Sequence, residues 1–187
     1  MAKTIFHTMV FVGTMCITWP GMAGEEKRKS MYAESKRIIS QYKAVFKAPP
    51  SKTPSNTAVD GPLLGNGDLG VTISGPPEAQ RFWISKNDFW KLKSQYGASG
   101  PRIFGGIDIK IPYLKGAGYL IEQELYPALT IARFTKGDTT VTMLSLVSAT
   151  DDVVIIELSA TGSAIDVGLS LWTAEGNGAR VQSGRQD

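Results

Sequence analysis

The chain has 187 residues and a formal net charge of +3, with 42% hydrophobic and 20% charged residues. That composition excludes a collagen, a coiled coil and a wholly disordered chain, and the length suits one domain with additions. The single His and single Cys are His7 and Cys16. Beyond residue 16 there is therefore no material for a disulfide, a Cys nucleophile, a Ser-His-Asp triad or a thiolate or imidazole zinc site. Chemistry there falls to carboxylates, Lys, Arg, Tyr and amides, and no cofactor or metal is expected.

Residues 1–24 read as a secretory signal peptide. Lys3 supplies the only charge before Glu25, an apolar run follows from Ile5 to Trp19, and Pro20-Gly21 and the small Ala23-Gly24 close it. The apolar run is short for a membrane span. Cleavage near Ala23 or Gly24 would leave a mature chain without a membrane span, periplasmic or secreted; an uncleaved anchor is the alternative. Residues 25–58 form a basic arm, with eight Lys or Arg against three Glu. Within it, residues 30–46 place Met31, Ile38, Ile39, Tyr42, Val45 and Phe46 at helical spacing, with Ser30 as N-cap and Pro49-Pro50 as stop. Such a helix can lie on a membrane or dock against a domain. Residues 47–61, rich in Pro, Ser and Thr, read as a linker.

Residues 59–187 carry the folded body, with eleven basic against fourteen acidic residues. A nucleic-acid partner would need a basic face on that body, so none is expected. Short alternating runs dominate: Leu69-Val71-Ile73, Phe82 to Ser85, Ile107-Ile109-Ile111, residues 119–126 and 129–135, then 139–148, 152–161 and 164–172. Lys136-Gly137-Asp138 marks a hairpin. Eight strand candidates at close spacing predict an all-β fold, an antiparallel β-sandwich. Residues 173–187 are polar and Gly-rich, and Ala179-Arg180-Val181 reads as the start of another strand. The expectation is a sandwich incomplete on its C-terminal side, the N-terminal piece of a longer protein.

Gly65-Asn66-Gly67-Asp68-Leu69-Gly70 satisfies G-x-G-x-x-G, and Asp88 follows about where a ribose-binding acid would stand. The flanks disagree: Asp60-Gly61-Pro62 breaks any strand before the motif, and Val71-Thr72-Ile73-Ser74 followed by Pro76-Pro77 replaces the helix that pyrophosphate binding needs. A nucleotide site is therefore not expected. Instead, Pro62 through Val71, Gly75, and Trp83-Ile84-Ser85-Lys86-Asn87-Asp88-Phe89-Trp90 resemble the N-terminal β-sandwich of glycoside hydrolase family 95, and more distantly that of family 65. The stretch Gln123-Glu124-Leu125 through Leu129-Thr130-Ile131 is similar to strands of the same sandwich. The resemblance spans roughly residues 60–160, and Lys86 and Phe89 depart from the family pattern. It implies a sandwich, a helical linker and an (α/α)6 barrel. The catalytic acid and base would belong to that C-terminal barrel, so the resemblance assigns no catalytic residue here. It implies an exported hydrolase of oligo- or polysaccharide, α-L-fucosidase-like, working by two carboxylates that flank the glycosidic bond.

Candidate substrate-binding residues are Asn66 and Asp68 at the loop tip, and Asp88 and Trp90, where an acid beside aromatic rings can bond sugar hydroxyls while a ring stacks on the sugar face. The plainer roles are turn formation for the loop residues and Asp88, and packing for Trp90. Glu122 and Glu124, two apart in a strand, share a face at about 7 Å. That spacing suits an inverting pair, but a solvated strand face explains it as well. Asp151-Asp152 reads as a turn. A stand-alone carbohydrate-binding sandwich is the alternative to an enzyme portion.

Overall fold

The computed structural model describes residues 21–55, 58–91, 100–174 and 180–182. It divides into two compact units, residues 1–37 and residues 38–187. The expected signal peptide falls mostly outside the described residues.

The first unit contains most of the helix α1 (Gly21–Ile39). Its side chains from Gly24 to Ile39 are exposed, and Lys29–Glu25 and Arg37–Glu34 pairs run along its surface. The helix expected over 30–46 thus starts earlier and ends sooner. Lys43–Phe46 forms a strand, β1, instead. Its pattern fits both periods, and the free edge of a neighbouring strand decides between them. Ala44 and Phe46 turn inward while Lys43 and Val45 stay exposed. Tertiary pairing overrides helical propensity in so short a segment. The sandwich unit accordingly begins near residue 38 rather than 59. No described helix is long and apolar enough to cross a membrane.

Among the described residues, the second unit forms two antiparallel five-stranded sheets. Its other strands are β2 (Leu63–Gly65), β3 (Leu69–Ser74), β4 (Ala79–Lys91), β5 (Gly100–Lys110), β6 (Gly118–Glu124), β7 (Leu129–Lys136), β8 (Thr139–Val147), β9 (Val154–Thr161) and β10 (Gly168–Thr173). Sheet one runs β1-β6-β7-β8-β9 and sheet two runs β10-β5-β4-β3-β2. Strict alternation builds the core. In β8 every second residue from Thr139 to Val147 is buried, and β3 contributes Leu69, Val71 and Ile73. Phe82 from sheet two and Phe134 from sheet one are fully enclosed, each contributing about 1.5–3 kcal/mol over an exposed position. Gly137, at φ 58°, makes the β7–β8 hairpin that its sequence announces. At the far edge of sheet two, Leu169 and Leu171 share a face with their register partners Ile109 and Ile107, yet are 68% and 49% exposed. The core thins out there. Arg180 and Val181 are not in a strand, and Ala179 lies outside the described residues.

Two side chains connect what the backbone leaves open. Gln123 in β6 accepts from the Leu63 N–H and donates to the Leu63 C=O (3.2 and 2.7 Å), so one amide pairs with the outer edge of β2. Asp60 gathers the segment expected as a linker. Its carboxylate accepts from the N–H groups of Ser51 and Lys52 (both 2.8 Å) and from the hydroxyls of Thr53 and Ser51. Desolvation pushes that carboxyl up, but the backbone bonds from Lys52 and Ser51 and the two hydroxyls outweigh it and hold it at about 2. A carboxylate depressed on folding stabilises above its unfolded value and loses that contribution as pH falls through its folded value. Asp60→Asn should therefore lower Tm at neutral pH, and the gap from wild type should close as pH falls from about 4 towards about 2. Thermal melts across that range check it; a gap that stays constant would reject the role.

Candidate functional site

The G-x-G-x-x-G segment turns the chain from β2 into β3. Gly67 takes φ 96°, a conformation that side chains rarely adopt. A Cβ on Gly65 would stand 2.7 Å from the Leu69 carbonyl oxygen. The glycines thus serve positive φ and close backbone approach. Asn66 holds the turn. Its Oδ1 accepts from the N–H groups of Asp68 and Leu69 (2.9 and 2.8 Å). Its Nδ2 donates to the carbonyls of Ser148 and Asp151 (3.0 and 3.3 Å), which lie in the β8–β9 turn of the other sheet. An amide has two donors and two acceptor sites, and all are used on the fold. Asn66 is a clasp between sheets and offers nothing further to a ligand.

Asp68 points elsewhere. β3 and β4 pair with Leu69 opposite Lys86, and the Asn87 N–H donates to the Asp68 carbonyl at 2.8 Å. Lys86 Nζ then lies 2.7 Å from Asp68, 3.4 Å from Asp88 and 3.4 Å from Asp152. Asp68 and Asp88 thus meet at one ammonium. The run read from sequence as a strand ends at Ser85, whereas β4 continues through Asp88-Phe89-Trp90 to Lys91. The continuation is possible because β4 bulges. Ser85 pairs with Ile103 and Trp90 with Pro101, so several residues of β4 face few of β5. A bulge of this kind re-aims side chains and bends the strand. Phe89 packs edge-on against Phe104 with centroids 6.2 Å apart. Trp90 donates its indole N–H to the Asn87 carbonyl at 2.6 Å and remains 55% exposed.

Asp68 holds Lys86 in its charged form, with Asp88 and Asp152 adding to it, and raises its pKa despite desolvation. The Lys86 ammonium in turn draws the Asp68 carboxyl below its ordinary value. A lysine so held cannot serve as base or nucleophile. Three carboxylates around one ammonium leave a net negative, oxygen-rich rim beside an exposed indole. Lys86 and Asp152 escape sequence reasoning: Lys86 reads only as a departure from a family pattern, and Asp152 only as a turn residue. Among the described residues no group of three or more His, Cys, Asp or Glu side chains is arranged to hold a metal.

Glu122 is committed elsewhere. It pairs with Lys43 and, at 2.7 Å, with Arg133, and these two cations, Lys43 first, hold its carboxyl below the usual range. A general acid needs the opposite shift; Glu122 instead holds two cations together on the outer strand face. Asp151 accepts from the hydroxyls of Ser148 and Thr150 (3.1 and 2.8 Å) and shapes its turn.

No protein-family model matches the chain, and no curated protein matches it. The geometry separates two neighbours in the loop. Asn66→Ala should destabilise the fold by about 1–3 kcal/mol, because it orphans groups at the sheet junction. Asp68→Ala should leave Tm within a few degrees, since exposed ion pairs contribute little. Equal losses of Tm in the two variants would contradict this division.

Proposed function

We propose that this chain is the N-terminal β-sandwich portion of an exported, periplasmic or secreted, glycoside hydrolase acting on oligo- or polysaccharide. In this reading it supports a catalytic (α/α)6 barrel of the same polypeptide, and no catalytic group is supplied by the residues described above. The observation that carries it is the rim formed by the G-x-G-x-x-G turn and the β4 bulge. There Asp68 and Asp88 converge on Lys86, with the exposed Trp90 on the same strand end. Carboxylates accept from sugar hydroxyls, and an indole offers an apolar face with one polar edge, which is the pairing of chemistries a saccharide presents. The rim would face the barrel and hold a sugar unit away from the cleaved bond. Asp88 and Trp90 would contact that unit, and Asp68 would both bond it and keep Lys86 in place. A stand-alone carbohydrate-binding module would use the same rim without hydrolysis.

Two measurements test this. The 187-residue chain alone should turn over no aryl glycoside; turnover abolished by Glu122→Gln or Glu124→Gln would overturn the assignment of catalysis to the barrel. In the protein carrying its barrel, Asp68→Ala should lower kcat/KM by roughly tenfold or more with little change in Tm, the signature of lost transition-state binding. Unchanged kcat/KM in Asp68→Ala and Trp90→Ala together would reject the rim as a substrate contact.

A further inference from the structure

The chain holds two Asn-Gly pairs, Asn66-Gly67 and Asn177-Gly178, and the first sits in the clasp between the sheets. Asn is a thermolabile residue, most of all before Gly, which has no side chain to shield its attacking nitrogen. In the reaction the Gly67 nitrogen gives up its proton to hydroxide or water and bonds to Asn66 Cγ. The Cγ–Nδ2 bond breaks, and Nδ2, once protonated, leaves as ammonia. Water then opens the five-membered imide at either carbonyl, to Asp or to isoaspartate. Gly67 is exposed, and a Cβ placed on it would meet nothing within 4 Å, so solvent has access to the attacking nitrogen.

The two ends of the Asn66 amide act in opposite directions on this reaction. Oδ1 accepts from the N–H groups of Asp68 and Leu69, inside the same turn. A pair of N–H donors on a carbonyl oxygen also stabilises the oxyanion that forms on attack. Nδ2 donates to the carbonyls of Ser148 and Asp151, in the other sheet's turn. While those two bonds stand, the amide stays planar and its nitrogen cannot turn away to leave. We propose that Asn66-Gly67 is a deamidation site gated by the clasp. Closed, the cross-sheet bonds protect the amide. When the β2–β3 and β8–β9 turns part, the local bonds remain and the amide is lost. The change runs one way. An Asp at position 66 has no donor for the two carbonyls, and its carboxylate would face them at the distances Nδ2 now holds, 3.0 and 3.3 Å. Isoaspartate adds a backbone atom to a turn that already takes a positive φ at Gly67. A molecule that has opened and reacted cannot remake the clasp. None of this depends on the carbohydrate reading.

The test is peptide mapping of the whole protein aged in mildly alkaline buffer, with and without unfolding urea, which resolves Asn, Asp and isoaspartate at position 66. In urea, Asn66 should convert at the rate of Asn177, the chain's other Asn-Gly pair. In native buffer, Asn66 should convert at least about tenfold more slowly than in urea, because only the opened fraction reacts. Asp151→Ala removes the carboxylate that shapes the β8–β9 turn but leaves both accepting carbonyls in the chain. It should speed native conversion about threefold or more and leave the urea rate unchanged. The aged fraction carrying Asp or isoaspartate at position 66, separated by its added negative charge, should melt below fresh protein, as should Asn66→Asp made directly. If Asn66→Asp fails to fold, the aged fraction still gives the comparison. Equal native and urea rates at Asn66 overturn the gate, as does an Asp151→Ala native rate equal to that of wild type. An aged fraction that melts like fresh protein overturns the one-way change.

Discussion

Asn66 joins the turn that leads into β3 to the turn that leads into β9, and so fixes one end of the sandwich. Each sheet is tied internally by its ladder, but two sheets packed through apolar side chains can slide, because hydrophobic contact has no direction. Hydrogen bonds do have direction. Two bonds of the Asn66 amide shape the β2–β3 turn of sheet two, and two more hold it against the β8–β9 turn of sheet one. The same two turns bring Asp152 to Lys86, while Asp68 and Asp88 reach it from within sheet two.

The charges at that rim and on the outer faces follow one pattern. Lys86 has three acidic neighbours, Arg81 one, and Glu122 two basic ones. Ion pairs that keep one partner in solvent add little to stability. Their effect is to fix protonation: Lys86 stays charged, while Asp68 and Glu122 stay ionised. Among these groups nothing is poised to exchange a proton near neutral pH.

Much of this architecture can be read from sequence, wherever a local rule governs. Alternation in residues 129–135 and 139–147 gives strands, and Gly137-Asp138 gives their hairpin, because a two-residue turn needs positive φ. The proximity of Asp68 and Asp88 is also legible, since neighbouring antiparallel strands bring a turn and a strand end together. What escapes is non-local. β1 is four residues long, and its apolar positions satisfy a helix as well as a strand; only the open edge of β6 decides. Lys86 lies in β4 and Asp152 in the turn between β8 and β9 of the other sheet, and no spacing announces their meeting. Asn66 reads equally well as a ligand contact or a turn former until its partners across the sandwich are known. The length of β4 is hidden too, since a bulge lets a strand continue through residues that look like its exit.

The Gln123 amide has a consequence beyond joining two strands. An edge strand with free N–H and C=O groups is a template on which a second chain can pair, and β2 is an edge. Gln123 occupies the outward groups of Leu63 as one rung of a neighbouring strand would. Only a side chain with both a donor and an acceptor at that reach can do so; a carboxylate could not answer the Leu63 carbonyl. One rung of that edge is thus filled by a side chain from the opposite sheet, where a second chain would otherwise find a free donor and acceptor.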